Sequence, residues 1–157
     1  MADIYELSIA LNLRDGLSDE EVAALRWHLG LGPEPESLRI VSAFPTVVEE
    51  ETGEPVVVDE PVPLLAQQGQ AWKVDGALVS VLLSPQDTCY GTWALTVRQE
   101  IHPDEFDSTG ELLTWLASKA DDRHRTSTGE IRLGWTRFCD SDCFEPLAVR
   151  NGEVTWP

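Results

Sequence analysis

The chain has 157 residues, of which 28 are acidic and 11 basic, for a formal charge of −17. This length usually makes one domain that buries about 68–70% of its unfolded surface; with 42% hydrophobic residues and six Trp, a packed globule is expected rather than a disordered chain. Two Lys and nine Arg scattered through such an excess of acid exclude the basic groove of a nucleic-acid binder and disfavour an anionic membrane surface.

Residues 1–6 lack the basic n-region and the apolar run of roughly 7–15 residues that a secretory signal needs. No stretch approaches the ~20 apolar residues that span a bilayer. The expected compartment is the cytoplasm, where thiols stay reduced. Three Cys, an odd number, make no disulfide framework. The preponderance of Arg over Lys suggests a GC-rich, bacterial genome.

Residues 5–13 alternate, with Tyr5, Leu7, Ile9, Leu11 and Leu13 on one face, which is the period of a half-buried strand. Ser18-x-x-Glu21 reads as a capping box, and Val22, Leu25 and Leu29 recur at helical spacing. A helix is therefore expected over about 18–29, stopped by Gly30 or Gly32 before Pro33. A strand is expected at 38–44. Residues 46–60 carry two Val/Glu runs around Thr52-Gly53 and fit either an exposed hairpin or a loop. Residues 63–74 read as a short strand, a Gly turn and another strand. The nearly continuous apolar run at 77–83 reads as a buried strand, and 84–91 as a turn. Residues 92–101 alternate again, with Trp93, Leu95, Val97 and Ile101 on one side. Ser108-x-x-Glu111 is a second capping box that would open a helix reaching about Ala120. Strands are expected at 130–138, 144–150 and 153–156, with Asn151-Gly152 as a two-residue hairpin turn.

Sliding the chain by 88 residues aligns Tyr5 with Trp93, Leu7 with Leu95, Ile9 with Val97, Leu25 with Leu113 and Trp27 with Trp115. Pro63–Trp72 likewise resembles Pro146–Trp156. These matches suggest two pseudo-repeats, about 1–76 and 77–157, within a single domain. The expected fold class is α+β. Duplicated β-α-β-β units would form a ferredoxin-like pair, with two main helices on one face of an antiparallel sheet.

No phosphate loop, dinucleotide fingerprint, HExxH helix or GxSxG elbow occurs, so no cofactor is expected. Cys139-Asp-Ser-Asp-Cys143 could give two thiolates to zinc or close a local disulfide, or it could be a polar hairpin loop. His102, before Pro103-Asp104-Glu105, is the best candidate for a general base, against a solvated strand end. His28 would sit near a helix C-terminus, where a cation suits the macrodipole. His124, between Arg123 and Arg125, reads as part of a surface charge cluster. Trp27, Trp93 and Trp115 could line an aromatic ligand pocket between the repeats, or simply pack the core.

Charge is uneven. Residues 1–88 hold 16 acids and 4 bases, a charge of −12, and the remainder hold 12 and 7, a charge of −5. No base lies between Arg39 and Lys73, while Glu49, Glu50, Glu51, Glu54, Asp59 and Glu60 fall there. Such a surface attracts a basic protein, as inhibitors and immunity-type proteins do, and also keeps a chain soluble. The expectation is a non-catalytic protein-binding module, monomeric or homodimeric. A small-molecule binder or enzyme with a pocket between the repeats is the alternative.

Overall fold

A computed structural model describes residues 3–41 and 44–156. In chain order its elements are β1 (Tyr5–Leu13), α1 (Asp19–His28), β2 (Pro45–Glu49), β3 (Pro55–Asp59), β4 (Gly69–Gln70), β5 (Ala77–Leu83), β6 (Trp93–Ile101), α2 (Phe106–Lys119), β7 (Ile131–Phe138), β8 (Glu145–Arg150) and β9 (Glu153–Val154). The fold is α+β, with a seven-stranded antiparallel sheet in the order β4-β5-β6-β1-β7-β8-β9. β1 lies at its centre. It pairs with β6 from Tyr5↔Ile101 to Leu13↔Trp93, and with β7 from Tyr5↔Phe138 to Ile9↔Gly134. β2 and β3 form a separate two-stranded sheet.

The alternation in β1 sends Leu7, Ile9, Leu11 and Leu13 to one face. There they join Leu95 and Val97 of β6, Leu25 of α1 and Leu112, Leu113 and Leu116 of α2 in one buried cluster. Each fully buried Leu contributes roughly 1.5–3 kcal/mol, so this layer is where the helices are held. The opposite face carries Ser8 and Ala10 of β1, Val79, Val81 and Leu83 of β5 and Trp135 of β7, and it stays open. That explains why 77–83, expected as a buried strand, alternates between buried and exposed residues. Its apolar run faces a core on one side and solvent on the other.

The ends of α1 follow its sequence. Ser18 accepts the Glu21 N–H, and Glu21 accepts the Ser18 N–H, each at 3.1 Å. At the other end Gly30 takes φ +71°, its N–H donates to the Trp27 carbonyl, and the Leu31 N–H donates to the Arg26 carbonyl. This is a Schellman close, which glycine permits. α2 differs from expectation at its start. It opens at Phe106 behind a 3₁₀ turn at Pro103–Glu105, and the reciprocal cap is made by His102 and Glu105 rather than Ser108 and Glu111. Proline, with its fixed φ, suits the first position of a helical turn, so the chain begins to coil as soon as β6 ends.

Two expected strands do not form among the described residues. Residues 38–41 are irregular, with bends at 39 and 40 and Val41 at φ +49°, and the rest of that stretch reaches residues 42 and 43, outside the described residues. Ile40 is buried in the core, and its carbonyl faces His28 Nε2 at 3.2 Å instead of a ladder partner. Residues 63–68 are likewise irregular. The Gln99 amide both accepts from the Gln67 N–H and donates to the Gln67 carbonyl, each at 2.9 Å, and Ser80 donates to the Leu65 carbonyl at 2.8 Å. Side chains thus supply the hydrogen bonds a neighbouring strand would have given. Pro63–Trp72 is consequently a loop ending in β4, whereas Pro146–Trp156 contains the β8–β9 hairpin, turned by Asn151 at φ +52° and Gly152 at φ +78°.

Candidate functional site

Two regions stand apart from the core. The first is the β2–β3 arm. Its strands pair Pro45 with Asp59 through Glu49 with Pro55, and its tip turns at Glu50–Glu54 with Gly53 at φ +78°. Val47 and Val57 are 68% and 67% exposed. Glu49, Glu50, Glu51, Glu54, Asp59 and Glu60 are all exposed, and among the described residues none pairs with Lys or Arg. Asp59 also has a local task, because its carboxylate accepts the Phe44 N–H at the base of the arm. Glu60 shares a groove of about 190 Å³ with Asp104 and Glu105, which extends the acidic surface toward the start of α2.

The second region is the open sheet face. Glu6, buried near the start of β1, binds Arg98 of β6 on one side at 2.7 Å and Arg137 of β7 on the other at 3.1 Å. Two guanidinium groups on one carboxylate leave a surplus positive charge. Glu100, also buried, is occupied by the backbone N–H groups of Trp72, Lys73 and Val74 at 2.6–3.2 Å. Beside the triad runs a groove of about 340 Å³ lined by Ser8, Arg123, His124, Arg125, Arg132 and Trp135 among others. It adjoins a hollow of about 390 Å³ between Ser8, Trp135 and Phe144.

Gly134 makes this shape possible. It faces Ile9 in the β1–β7 ladder, and a Cβ there would overlap the Ser8 carbonyl oxygen and lie 2.9 Å from Ile9 Cα. The register against β8 shifts between Arg132 and Gly134, so Arg132 and Trp135 both reach the groove although three residues apart. Such shifts re-aim side chains. The Arg132 guanidinium lies 5.7 Å from the Trp135 ring, and that of Arg137 lies 5.3 Å from the Phe144 ring. Arg123 lies 4.9 Å from the Tyr90 ring and bonds Asp121 at 3.1 Å. The Asp121 carboxyl is held below its usual range by the Arg123 backbone N–H and then by the Arg123 side chain.

The sequence-nominated residues are dispersed. His102 Nδ1 accepts the Asp104 N–H at 3.1 Å, so its imidazole serves as a helix cap. Trp27 is buried on α1, while Trp93 and Trp115 pack partly buried against the core. The grooves described above are lined by other residues. Cys139 and Cys143 are free thiols in the turn between β7 and β8, and Cys89 lies on another loop. His28, expected as a capping cation, is instead fully buried, and desolvation pushes its pKa below the ordinary imidazole value. His124 is more than a surface charge: its Nε2 accepts the Asn12 N–H of β1 at 2.9 Å. Burial and then the neighbouring Arg123 charge lower its pKa, against an opposing pull from Asp121. Sequence reasoning missed the groove. The usable signal was Arg123-His124-Arg125, a cationic run in a strongly acidic chain.

No family model matches the chain, and neither the curated proteins nor the solved structures contain a match to it. Among the described residues no helix is long and apolar enough to cross a membrane.

Proposed function

We propose that this protein is a non-catalytic binding module that engages a basic protein through the acidic β2–β3 arm. The observation that carries the reading is the arm itself. A two-stranded hairpin is marginal in water unless something packs on it, yet among the described residues this one pairs with no other strand, and it exposes Val47, Val48 and Val57 among its glutamates. Apolar side chains ringed by one sign of charge suit a partner of the opposite sign, whose encounter is speeded at low salt. An inhibitor- or immunity-like role in the bacterial cytoplasm, as a monomer or homodimer, fits this surface.

The fold reading that accompanies it is a ferredoxin-like pair of two pseudo-repeats, about 1–76 (β1 to β4) and 77–157 (β5 to β9). Its support is the strand order β5-β6-β1-β7 and the pairing of β1 with β6 about Ile9↔Val97. The alternative, a pocket between the repeats at Trp27, Trp93 and Trp115, has less support, because the layer between helices and sheet is filled by core side chains.

The test is capture from the native host with wild-type protein and with a variant carrying Glu49→Gln, Glu50→Gln, Glu51→Gln and Glu54→Gln. Wild type should enrich a basic protein at low salt, and both added salt and the substitutions should remove it. Identical capture by the two proteins, or none by either, would overturn the reading.

A further inference from the structure

We propose that the open sheet face is a binding site for a small organic anion. Its oxyanion head, a phosphate monoester or a carboxylate, is held by Arg123, Arg125 and Arg132, and its flat apolar body lies along Trp135 toward Phe144.

The charge argument comes first. The chain has 28 carboxylates to place, yet none lines the groove that holds these three arginines. Among the described residues Arg125 and Arg132 make no ion pair. Arg123 is steadied by Asp121 and by the Tyr90 ring, which leaves part of its fork of donors unused. Guanidinium groups bind phosphate and carboxylate through paired, charge-assisted hydrogen bonds. The Glu6 triad adds a further surplus positive charge next door.

Shape and polarity specify the rest of the ligand. The basic groove and the aromatic hollow share Ser8 and Trp135, so they are continuous. Trp135 is 44% and Phe144 53% exposed, which leaves ring surface for stacking or apolar contact. Volumes of about 340 and 390 Å³ fall at the lower end of the range of roughly 300–1,000 Å³ for small-molecule sites. A polyanion is a poor occupant, because its length carries it past the groove onto a surface of net charge −17. A small anion feels chiefly the charges within about 8 Å at physiological salt; the charged residues that line the groove are Arg123, Arg125 and Arg132, and Asp121 offsets part of the charge of Arg123 alone.

The experiment is titration by calorimetry and by amide and indole chemical shifts with naphthyl phosphate, naphthoate, neutral naphthol and inorganic phosphate. Naphthyl phosphate or naphthoate should bind about tenfold or more tighter than either half-ligand, with shifts centred on Trp135. The stronger of the two anions identifies the head group. Arg125→Gln and Arg132→Gln should each weaken anion binding by about tenfold and leave naphthol unchanged. Trp135→Ala should weaken naphthol and anions together. All three residues are exposed, and circular dichroism of each variant verifies the fold. Absence of saturable anion binding, equal binding of naphthol, or indifference to the arginine substitutions would overturn the proposal. So would loss of self-association, rather than of anion binding, in the arginine variants, because the groove would then belong to the acidic arm of a second copy.

Discussion

His28 lies in the last turn of α1 with no solvent exposure, its Nε2 3.2 Å from the Ile40 carbonyl. A carbonyl only accepts, so Nε2 carries the proton, and Nδ1 has no hydrogen-bond partner among the described residues. A proton on Nδ1 would be an unpaired charge in the core. Desolvation accordingly lowers the folded-state pKa beneath the unfolded value of about 6.5, against a smaller opposing effect of the Ile40 bond. The unfolded chain then binds more protons over the interval between the two values. Stability from His28 is fully present above pH 6.5 and is lost as pH falls through the folded value. His124 acts in the same direction, because protonating its Nε2 would break the bond from the Asn12 N–H. Thermal melts between pH 7.5 and 5.5 should show a falling midpoint. His28→Gln keeps a donor for Ile40 and has nothing to titrate, so its midpoint should fall less over the same interval. An equal fall in wild type and variant would place the proton uptake elsewhere.

At the scale of elements, the β2–β3 arm and the main sheet are held by different forces. The sheet rests on a cluster of fully buried Leu and Ile, whereas the arm has its own ladder and the Asp59–Phe44 hydrogen bond, with only Val56 and Val58 of β3 half-buried. Replacing residues 47–57 by a short Gly-Ser linker should therefore shift the melting midpoint by less than about 3 °C, the effect of roughly 1 kcal/mol in a chain of this size. A larger loss in calorimetry would show that the arm packs on the core. This contrast also explains what the sequence disclosed. β1, β6, α1 and the β8–β9 turn are legible because alternation, a Ser18–Glu21 box and Asn151-Gly152 each act within a few residues. The segments at 38–41 and 63–68 misread as strands because their hydrogen-bond partners, His28, Gln99 and Ser80, lie 12 to 32 residues away. The acidic arm is visible in the sequence as one contiguous run. The basic groove is not, since Ser8, the 123–125 run and Trp135 meet only through the β1–β7 pairing and the shift at Gly134.

Over the whole molecule, the fold separates charges that the sequence interleaves. Acid gathers on the arm and near the start of α2, and arginine gathers on the open sheet face. The net charge of −17 remains, and its self-repulsion opposes compaction. Ion pairs work the other way, but Arg39–Glu20 is largely exposed and Arg150–Glu130 is exposed on its arginine side, and surface pairs are worth about 0–1 kcal/mol. The Glu6 triad is buried and little screened by salt. Repulsion is therefore the larger salt-sensitive effect. Raising NaCl from about 10 to about 300 mM contracts the screening length from roughly 30 Å to less than 8 Å, so the melting midpoint should rise by about 2–4 °C. The variant with four arm glutamates changed to glutamine has a charge of −13 and should show a smaller rise. Chloride is the anion to use, because sulfate strengthens apolar burial in its own right. A midpoint that falls with NaCl would mean that the exposed ion pairs outweigh the repulsion. In that case the separation of arm and groove would itself contribute to stability.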